Sequence, residues 1–350
     1  MVDNVLFRYA TYSLTSGTMT KKIGLALGSG GARGWAHIGA IRALEEAGIK
    51  INYIAGTSIG AFVGGIYAVN QLDDLEAFVT EIDWKTIISL LDVEFPTRGL
   101  LDGDKIYDLI DSFVIDCNLE ETSIPFHCVA TDLLTQKAIV LKTGSMVDAV
   151  RASISIPGVF TPFKREESYL VDGGVINPVP VDVVKAMGSD IVLAINLNFP
   201  YSLPPVETEE AKQVNQETDL ENKEILSEIK RSQASDQETQ GTRIELLNNL
   251  KSRYAAVQET LAEKVNNWLP DQNEDEARTP NIFDVIGSAI NIMEQQVTQI
   301  NLQVHQPDIL LQPRLSQYGI FDFHQADALM KEGYRCVKEA LPEIEDQLSN

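Results

Sequence analysis

Three observations predict an α/β fold with a largely parallel sheet for this chain. The first half alternates short apolar strands with helical patterns, which is typical of such sheets. Glycine-rich turns at 28–34 and 56–60 each join a predicted strand to the helix that follows it. A hydrophobic fraction of 44% in 350 residues is enough for a sizeable core. The sequence therefore predicts a globular α/β protein.

The predicted elements follow one another in a simple order. A short buried strand, Ile23–Leu27, leads into the first glycine-rich turn, and apolar residues at helical spacing predict a helix from Trp35 to Ala47. Tyr53–Ala55 is predicted as the next strand, and Ser58 opens the helix after it. Later strands are predicted at Phe126–Thr131, Ala138–Lys142, Tyr169–Val171, Ile191–Asn196 and Ile309–Leu311, with a closing helix at Ala326–Leu341.

Composition suggests one main domain, 22–341, between an N-terminal extension, 1–21, and a C-terminal tail, 342–350. The extension lacks the charged start and apolar stretch of a signal peptide. An acidic insertion at about 204–280, rich in Gln, Glu and Asn, interrupts the domain. Apolar spacings of three and four from Ile244 to Leu269 predict an amphipathic helix there. This helix is interpreted as a surface helix packed on the core, a lid, a membrane-surface helix or a partner-binding helix.

The formal net charge of -23 argues against a nucleic-acid partner, because binding phosphates needs clustered Lys and Arg. The most apolar run, Ile54 to Val69, is shorter than the roughly 20 residues that span a bilayer, so no transmembrane segment is expected. Cys117, Cys128 and Cys336 are far apart and form no CxxC pair. They predict neither a metal site nor a disulfide framework. We expect a cytoplasmic protein that can meet a membrane surface peripherally; oligomeric state is open.

The segment Gly56-Thr57-Ser58-Ile59-Gly60 is a Gly-x-Ser-x-Gly pattern between a predicted strand and a predicted helix. The two glycines permit the tight, strained turn that lifts a serine hydroxyl above a sheet. The serine also begins a helix, where the dipole favours negative charge. The pattern is common by chance in glycine-rich loops, but its strand–turn–helix context indicates a nucleophile.

A second turn, Gly28-Ser29-Gly30-Gly31-Ala32-Arg33-Gly34, also joins a strand to a helix. Closely spaced glycines direct backbone N–H groups toward an anion. The turn lacks the Gly-Lys-Ser/Thr of a phosphate loop, and as a dinucleotide fingerprint its third glycine comes one residue late. The alternative is an oxyanion hole formed by the N–H groups of Gly30, Gly31 and their neighbours. One such donor typically contributes about 3 to 4 kcal/mol to the transition state.

The residues alone leave the base for this serine open. Leu170-Val171-Asp172-Gly173-Gly174 ends a predicted strand with a carboxylate, which is also the pattern of an ordinary Asp-Gly-Gly turn. Histidine is the usual base, and the candidates are His37, His127, His305 and His324. None stands where the late histidine of a Ser-Asp-His hydrolase is expected, and His324 is the remaining candidate. Asp172 is the alternative, in a Ser–Asp dyad.

These blocks, in this order, resemble the patatin-like phospholipases, in particular short bacterial members related to the neuropathy target esterase catalytic domain. The resemblance includes Arg151-Ala152-Ser153-Ile154-Ser155-Ile156-Pro157-Gly158, and also the segments Ala130-Thr131-Asp132-Leu133 and Asn177-Pro178-Val179-Pro180. It covers about 22–203 and again about 282–341. The acidic insertion matches no family motif.

The resemblance implies a three-layer α/β/α sandwich with a mainly parallel central sheet, and neither metal nor cofactor. It implies that Ser58 is the nucleophile and Asp172 its base, with Gly30, Gly31 and the backbone at Arg33 as the oxyanion hole. The remaining motif positions are Gly28, Gly34, Gly56, Gly60, Gly173 and Gly174.

The implied reaction is hydrolysis of fatty-acyl esters of phospholipids, lysophospholipids or related lipids through an acyl-enzyme intermediate. The Arg33 side chain is expected either to steer a phosphate head group or to form a surface salt bridge. The alternative function is a non-catalytic regulatory or adaptor protein that keeps the same scaffold and binds its partner through the acidic insertion.

Overall fold

The computed structural model describes residues 21–81, 103–114, 116–198 and 282–349, and it confirms the predicted fold class. The strands are β1 (Ile23–Leu27), β2 (Ile51–Thr57), β3 (Phe126–Asp132), β4 (Lys137–Leu141), β5 (Phe163–Arg165), β6 (Ser168–Asp172), β7 (Ile191–Ile195) and β8 (Ile309–Leu311). The α-helices are α1 (Trp35–Glu46), α2 (Ile59–Ala68), α3 (Leu72–Glu81), α4 (Asp104–Val114), α5 (Met146–Ser153), α6 (Val181–Ala186), α7 (Ile282–Val304) and α8 (Ala326–Ser349).

The strands form one sheet whose hydrogen-bonded neighbours follow the path β5-β6-β3-β2-β1-β7-β8, and β4 pairs with the edge of β3 opposite β2 and β6. From β3 to β8 the neighbouring strands are parallel, whereas β4, β5 and β6 make antiparallel pairs. Every residue of β1 and β7 is buried, as a parallel sheet covered on both faces requires.

Helices cover the two faces of the sheet unequally, which gives the three layers. Leu25 and Leu27 of β1 lie in the larger core, which also contains residues of α1, α2, α3, α4, α5 and α8. Ala26 faces the smaller core, built with valines of α6. Small residues let α6 approach on that side, since a Cβ atom on Gly24 would lie 2.1 Å from Val184 Cγ1.

Helix α8 corrects the prediction that the closing helix ends at Leu341 and leaves 342–350 as a tail. The helix continues through Pro342 to Ser349. Proline normally disfavours a helix interior because it lacks an N–H donor. Here Ile344 is fully buried and Leu348 packs against the larger core, so burial beyond the proline stabilises the added turns.

Several predicted segments lie outside the described residues. They are the N-terminal extension up to residue 20, the insertion at about 204–280 and its amphipathic helix, Ile244–Leu269. Among the helices that are described, none combines the length and apolar character needed to cross a membrane.

Candidate active site

Ser58 occupies a sharp turn between β2 and α2. Its φ of 56° lies in the left-handed region, which costs energy for a residue with a side chain. The turn needs glycine at Gly56, where a Cβ atom would lie 2.3 Å from Gly60 O. The Ser58 N–H donates to Ser153 Oγ at 2.8 Å, which fixes the turn from α5. The predicted strand–turn–helix geometry is therefore present.

Strand register places Asp172 directly in front of this turn. Thr57, the last residue of β2, pairs with Val129 of β3, and Asp172, the last residue of β6, pairs with Ala130. Since β4 occupies the other edge of β3, β2 and β6 meet end to end along one edge. The Ser58 Oγ donates to Asp172 Oδ2 at 2.5 Å.

Backbone groups hold the Asp172 carboxylate in this orientation. The Gly174 N–H donates to Asp172 Oδ1 at 2.7 Å, and the Asp172 N–H donates to Ser155 O at 2.9 Å. Arg151 Nη1 in turn donates to Ser155 Oγ at 2.6 Å. The Arg-Ala-Ser-x-Ser-Ile-Pro-Gly segment, which was only a motif in the sequence, thus holds Asp172 in position through Ser155.

The environment makes Asp172 a stronger base than an ordinary aspartate. Asp172 is only 3% exposed. Burial and, to a smaller extent, the nearby charge of Glu294 together raise the pKa of Asp172 to about 8, against hydrogen bonds from Ser58 and Gly174 that lower it. A carboxylate with this pKa accepts a proton from a serine hydroxyl more readily than one with the usual pKa near 4.

Two backbone N–H groups of the glycine-rich loop 28–34 have no hydrogen-bond acceptor among the described residues. Those of Gly28, Ser29 and Ala32 donate to backbone carbonyls of Ile195, Pro178 and Ile320. Within the described part of the chain, no acceptor takes the N–H groups of Gly30 and Gly31. Gly31, at φ 58°, borders the same cavity as Ser58 and Asp172.

Arg33 is buried, and the expectation that its side chain forms a surface salt bridge is wrong. It is 3% exposed, so it is not a surface residue. Its Nε donates to Gly30 O at 3.1 Å, and its Nη2 donates to Asn198 Oδ1 and Asn291 Oδ1, each at 2.9 Å. These bonds direct the guanidinium inward, where it holds the glycine loop.

The histidines do not take the place of Asp172. His37 is fully buried with Nε2 at 2.8 Å from Gly28 O, and burial lowers its pKa to about 4, so the ring is neutral near pH 7. His324 Nε2 lies 2.9 Å from Gln325 Nε2. The Ser58 hydroxyl is directed at Asp172, which favours the dyad over a triad with His324.

An apolar cavity of about 280 Å³ opens beside Ser58. Its lining includes aliphatic side chains of α7 and of the loop after α5, among them Ile156, Pro157, Ile286, Ile290 and Met293. Such a lining suits a hydrocarbon chain.

Glu294 of α7 also borders this cavity, and sequence reasoning missed it together with its helix. Ile286, Ile290 and Val297 share helical spacing with Glu294. That pattern predicts a helix with a single carboxylate on its apolar face. The signal was therefore present in the sequence.

Comparison with known proteins finds a matching family and a relative that covers nearly the whole chain. The family model for patatin-like phospholipases matches residues 25–185. An uncharacterized NTE family protein of Mycobacterium tuberculosis is 34% identical over 352 residues, covering 95% of both chains. The chain belongs to the patatin-like phospholipase family. This membership supports lipid ester hydrolysis in general terms.

Longer family members match only about half of this chain. Patatin-like phospholipase domain-containing protein 6 of Homo sapiens is 34% identical over 201 residues, covering 54% of this chain and 14% of that protein. Lysophospholipase nte1 of Emericella nidulans is 36% identical over 184 residues, covering 51% and 12%.

Proposed function

We propose that this patatin-like protein is a serine acyl hydrolase that cleaves fatty-acyl esters of lysophospholipids or phospholipids. The observation that carries the proposal is the hydrogen bond from Ser58 Oγ to Asp172 Oδ2, made at a strained turn that opens on an apolar cavity. Strain of this kind concentrates at functional sites. The name of the Emericella relative, lysophospholipase, supports the substrate class.

The reaction begins when Ser58 attacks the ester carbonyl and Asp172 accepts the serine proton. The N–H groups of Gly30 and Gly31 stabilise the oxyanion, and the proton passes to the leaving alcohol. An acyl-enzyme on Ser58 remains. Water, deprotonated by Asp172, then releases the fatty acid and restores the serine.

Exposed apolar residues around the cavity support delivery of the substrate from a lipid surface. Val175 and Met293 border the cavity and are 47% and 59% exposed. Val285 and Ile292 continue this apolar character along α7, at 51% and 60% exposed. A lipid ester that stays partly in a membrane or micelle can reach Ser58 past such residues without leaving an apolar environment.

An ester panel tests the proposal. Initial rates are measured with p-nitrophenyl esters of graded acyl length and with a lysophospholipid, using the Ser58→Ala protein as the blank. We expect activity to rise with acyl length and to depend on Ser58. A fluorophosphonate probe should label Ser58 in the folded protein. A folded protein that neither reacts with the probe nor cleaves any ester would instead support the adaptor alternative.

A further inference from the structure

Helix α7 places a second carboxylate beside the dyad. Glu294 is 8% exposed and borders the same cavity as Ser58 and Asp172. A Cβ atom on Gly174 would lie 2.1 Å from Glu294 Oε1 and 3.1 Å from Asp172 Oδ1, so both carboxylates face one small space in front of Gly174. Two buried like charges at such range oppose each other. The groups around Glu294 decide how this opposition is resolved.

The donors that face Glu294 come from the glycine loop and from the end of β7. Asn198 Nδ2 donates to Glu294 Oε2 at 3.0 Å, and Ser29 makes a further side-chain hydrogen bond. Arg33 donates to Asn198 Oδ1, and its positive charge favours ionised Glu294. A second bond from Arg33 goes to Asn291, almost one turn earlier on α7. This network connects α7 to the loop that would hold the oxyanion.

We propose that Glu294 is a positioning residue of the acyl transfer: it anchors the glycine loop beside Ser58, and its negative charge, facing Asp172 across Gly174, favours transfer of the Ser58 proton to Asp172. The inference rests on the proposed function. In the transfer the Ser58 O–H bond breaks and the proton binds Asp172 Oδ2, while Oγ forms a bond to the acyl carbon and the carbonyl π electrons move to the oxyanion. The ester C–O bond then breaks as the oxyanion returns to a carbonyl. The same proton later leaves with the alcohol.

Electrostatics agree with this geometry. Burial raises the pKa of Glu294 above its ordinary value, and the charge of Arg33 and the hydrogen bonds from Ser29 and Asn198 act against that rise. Within the described part of the chain, the Asp172 carboxyl group has only Ser58 and Gly174 as donors, and the charge of Glu294 acts against its ionisation. The charged groups that face Glu294 in the described residues are thus Arg33 from the glycine loop and Asp172 from β6. Arg33 favours the ionised form of Glu294, whereas no such cation is among the groups that shift the pKa of Asp172.

The Glu294→Gln variant tests the proposal, because it keeps the shape and an acceptor for Asn198 while removing the charge. The readouts are kcat/KM on a p-nitrophenyl ester and the rate of fluorophosphonate labelling, both as functions of pH. We expect the acidic limb of both pH profiles to move to lower pH by about one unit. The plateau at alkaline pH should fall several-fold because the base is weaker. KM should change little.

If Glu294 had a purely structural role, its substitution would lower activity by the same factor at every pH and leave the acidic limb of the profile in place. That result would overturn the proposal. Glu294→Asp is the second variant, since it keeps the charge but withdraws it from Gly174. We expect a smaller downward shift, and an unmoved limb in a folded Glu294→Asp protein would also overturn the proposal. This variant decides the question if Glu294→Gln does not fold.

Glu76→Gln is the matched control. Glu76 is also 8% exposed and is paired with Arg42, away from the cavity. Its neutralisation should leave the limb unmoved, and a shift equal to that of Glu294→Gln would count against a local effect. The two proposals fail differently. Wild-type protein that does not label at Ser58 contradicts the acyl hydrolase, whereas labelling with an unmoved limb in Glu294→Gln contradicts only the role of Glu294.

Discussion

Ser58 and Asp172 lie at facing ends of two strands along one edge of β3, although 114 positions separate them in the chain. Thr57 pairs with Val129, and Asp172 pairs with the next residue, Ala130. Because β2 runs parallel to β3 and β6 runs antiparallel, the two strands point at each other and stop where they meet. The dyad is thus a consequence of register, since a one-residue slip of β6 would turn the carboxylate to the other face of the sheet.

This geometry predicts that Ser58→Ala and Asp172→Asn each abolish ester hydrolysis, by at least about 10⁴-fold, because nucleophile and base act as a unit. Both substitutions are small, so circular dichroism should show a native fold. Ser112→Ala is a matched control, because Ser112 donates only within α4, to Leu109 O. Retention of most activity in Asp172→Asn would contradict the dyad and direct attention to His324.

The pH dependence of activity follows from the same carboxylate. Asp172 must be ionised to accept the serine proton, and its pKa is raised to about 8, chiefly by burial. We therefore expect kcat/KM to rise with pH and to reach half its maximum near the pKa of Asp172. Initial rates in overlapping buffers of constant ionic strength provide the measurement. A midpoint near pH 4, the ordinary range for aspartate, would mean that Asp172 is not the base that limits the reaction.

Stability should depend on pH in the opposite sense. The folded-state pKa of Asp172 lies above its unfolded value of about 3.9, so its neutral form contributes stability that is fully present below about pH 4 and is lost as pH rises through about 8. Asp172→Asn removes this loss. The Tm of Asp172→Asn should exceed that of wild type at about pH 9, by roughly 2–4 °C for each kcal/mol of unfolding free energy that wild type loses there. At about pH 4 the two Tm values should be close.

Asp111→Asn is the control for that comparison, because Asp111 is exposed on α4. It should change Tm by a similar small amount at both pH values. A lower Tm for Asp172→Asn than for wild type at alkaline pH would show that the ionised carboxylate stabilises the fold, contrary to the raised pKa.

Local signals predicted the elements that carry the site. The bounds of Ile23–Leu27 and Ile309–Leu311 are the same in the structure as in the prediction. The turn at Ser58 was equally predictable from the sequence, because a buried aliphatic run that ends at a glycine is typical of a strand followed by a turn. The contact between Ser58 and Asp172, by contrast, depends on the register in which β2 and β6 pair with β3. No local pattern in any one of these strands specifies that register.

The environment of charged side chains could not be predicted in this way. Arg33 is buried because Asn198 and Asn291 accept its hydrogen bonds, and these partners come from the segment after β7 and from α7, far along the chain. Glu294 faces Asp172 only because α7 folds back over the cavity. Such contacts follow from tertiary packing, which overrides the local expectation that an arginine beside a glycine turn lies at the surface.

Gly60, at the first turn of α2, gives a final prediction about the position of the nucleophile. A Cβ atom on Gly60 would lie 2.2 Å from Leu27 O and 2.8 Å from Gly28 O, which are backbone atoms that cannot rotate away. Gly60→Ala should therefore push α2 and Ser58 away from the glycine loop. We expect kcat to fall at least roughly tenfold, and the free energy of unfolding to fall by about 1–3 kcal/mol.

Gly65→Ala, on the same helix, separates this effect from a general intolerance of alanine. Its Cβ atom would lie 3.1 Å from Met146 Sδ and 3.4 Å from Phe126 Cε1, contacts that small side-chain movements relieve. Its kcat should stay close to that of wild type, with any loss limited to stability. Initial rates and urea unfolding are measured on both variants. A Gly60→Ala protein with wild-type kcat would contradict the view that contact between α2 and β1 positions Ser58 for attack.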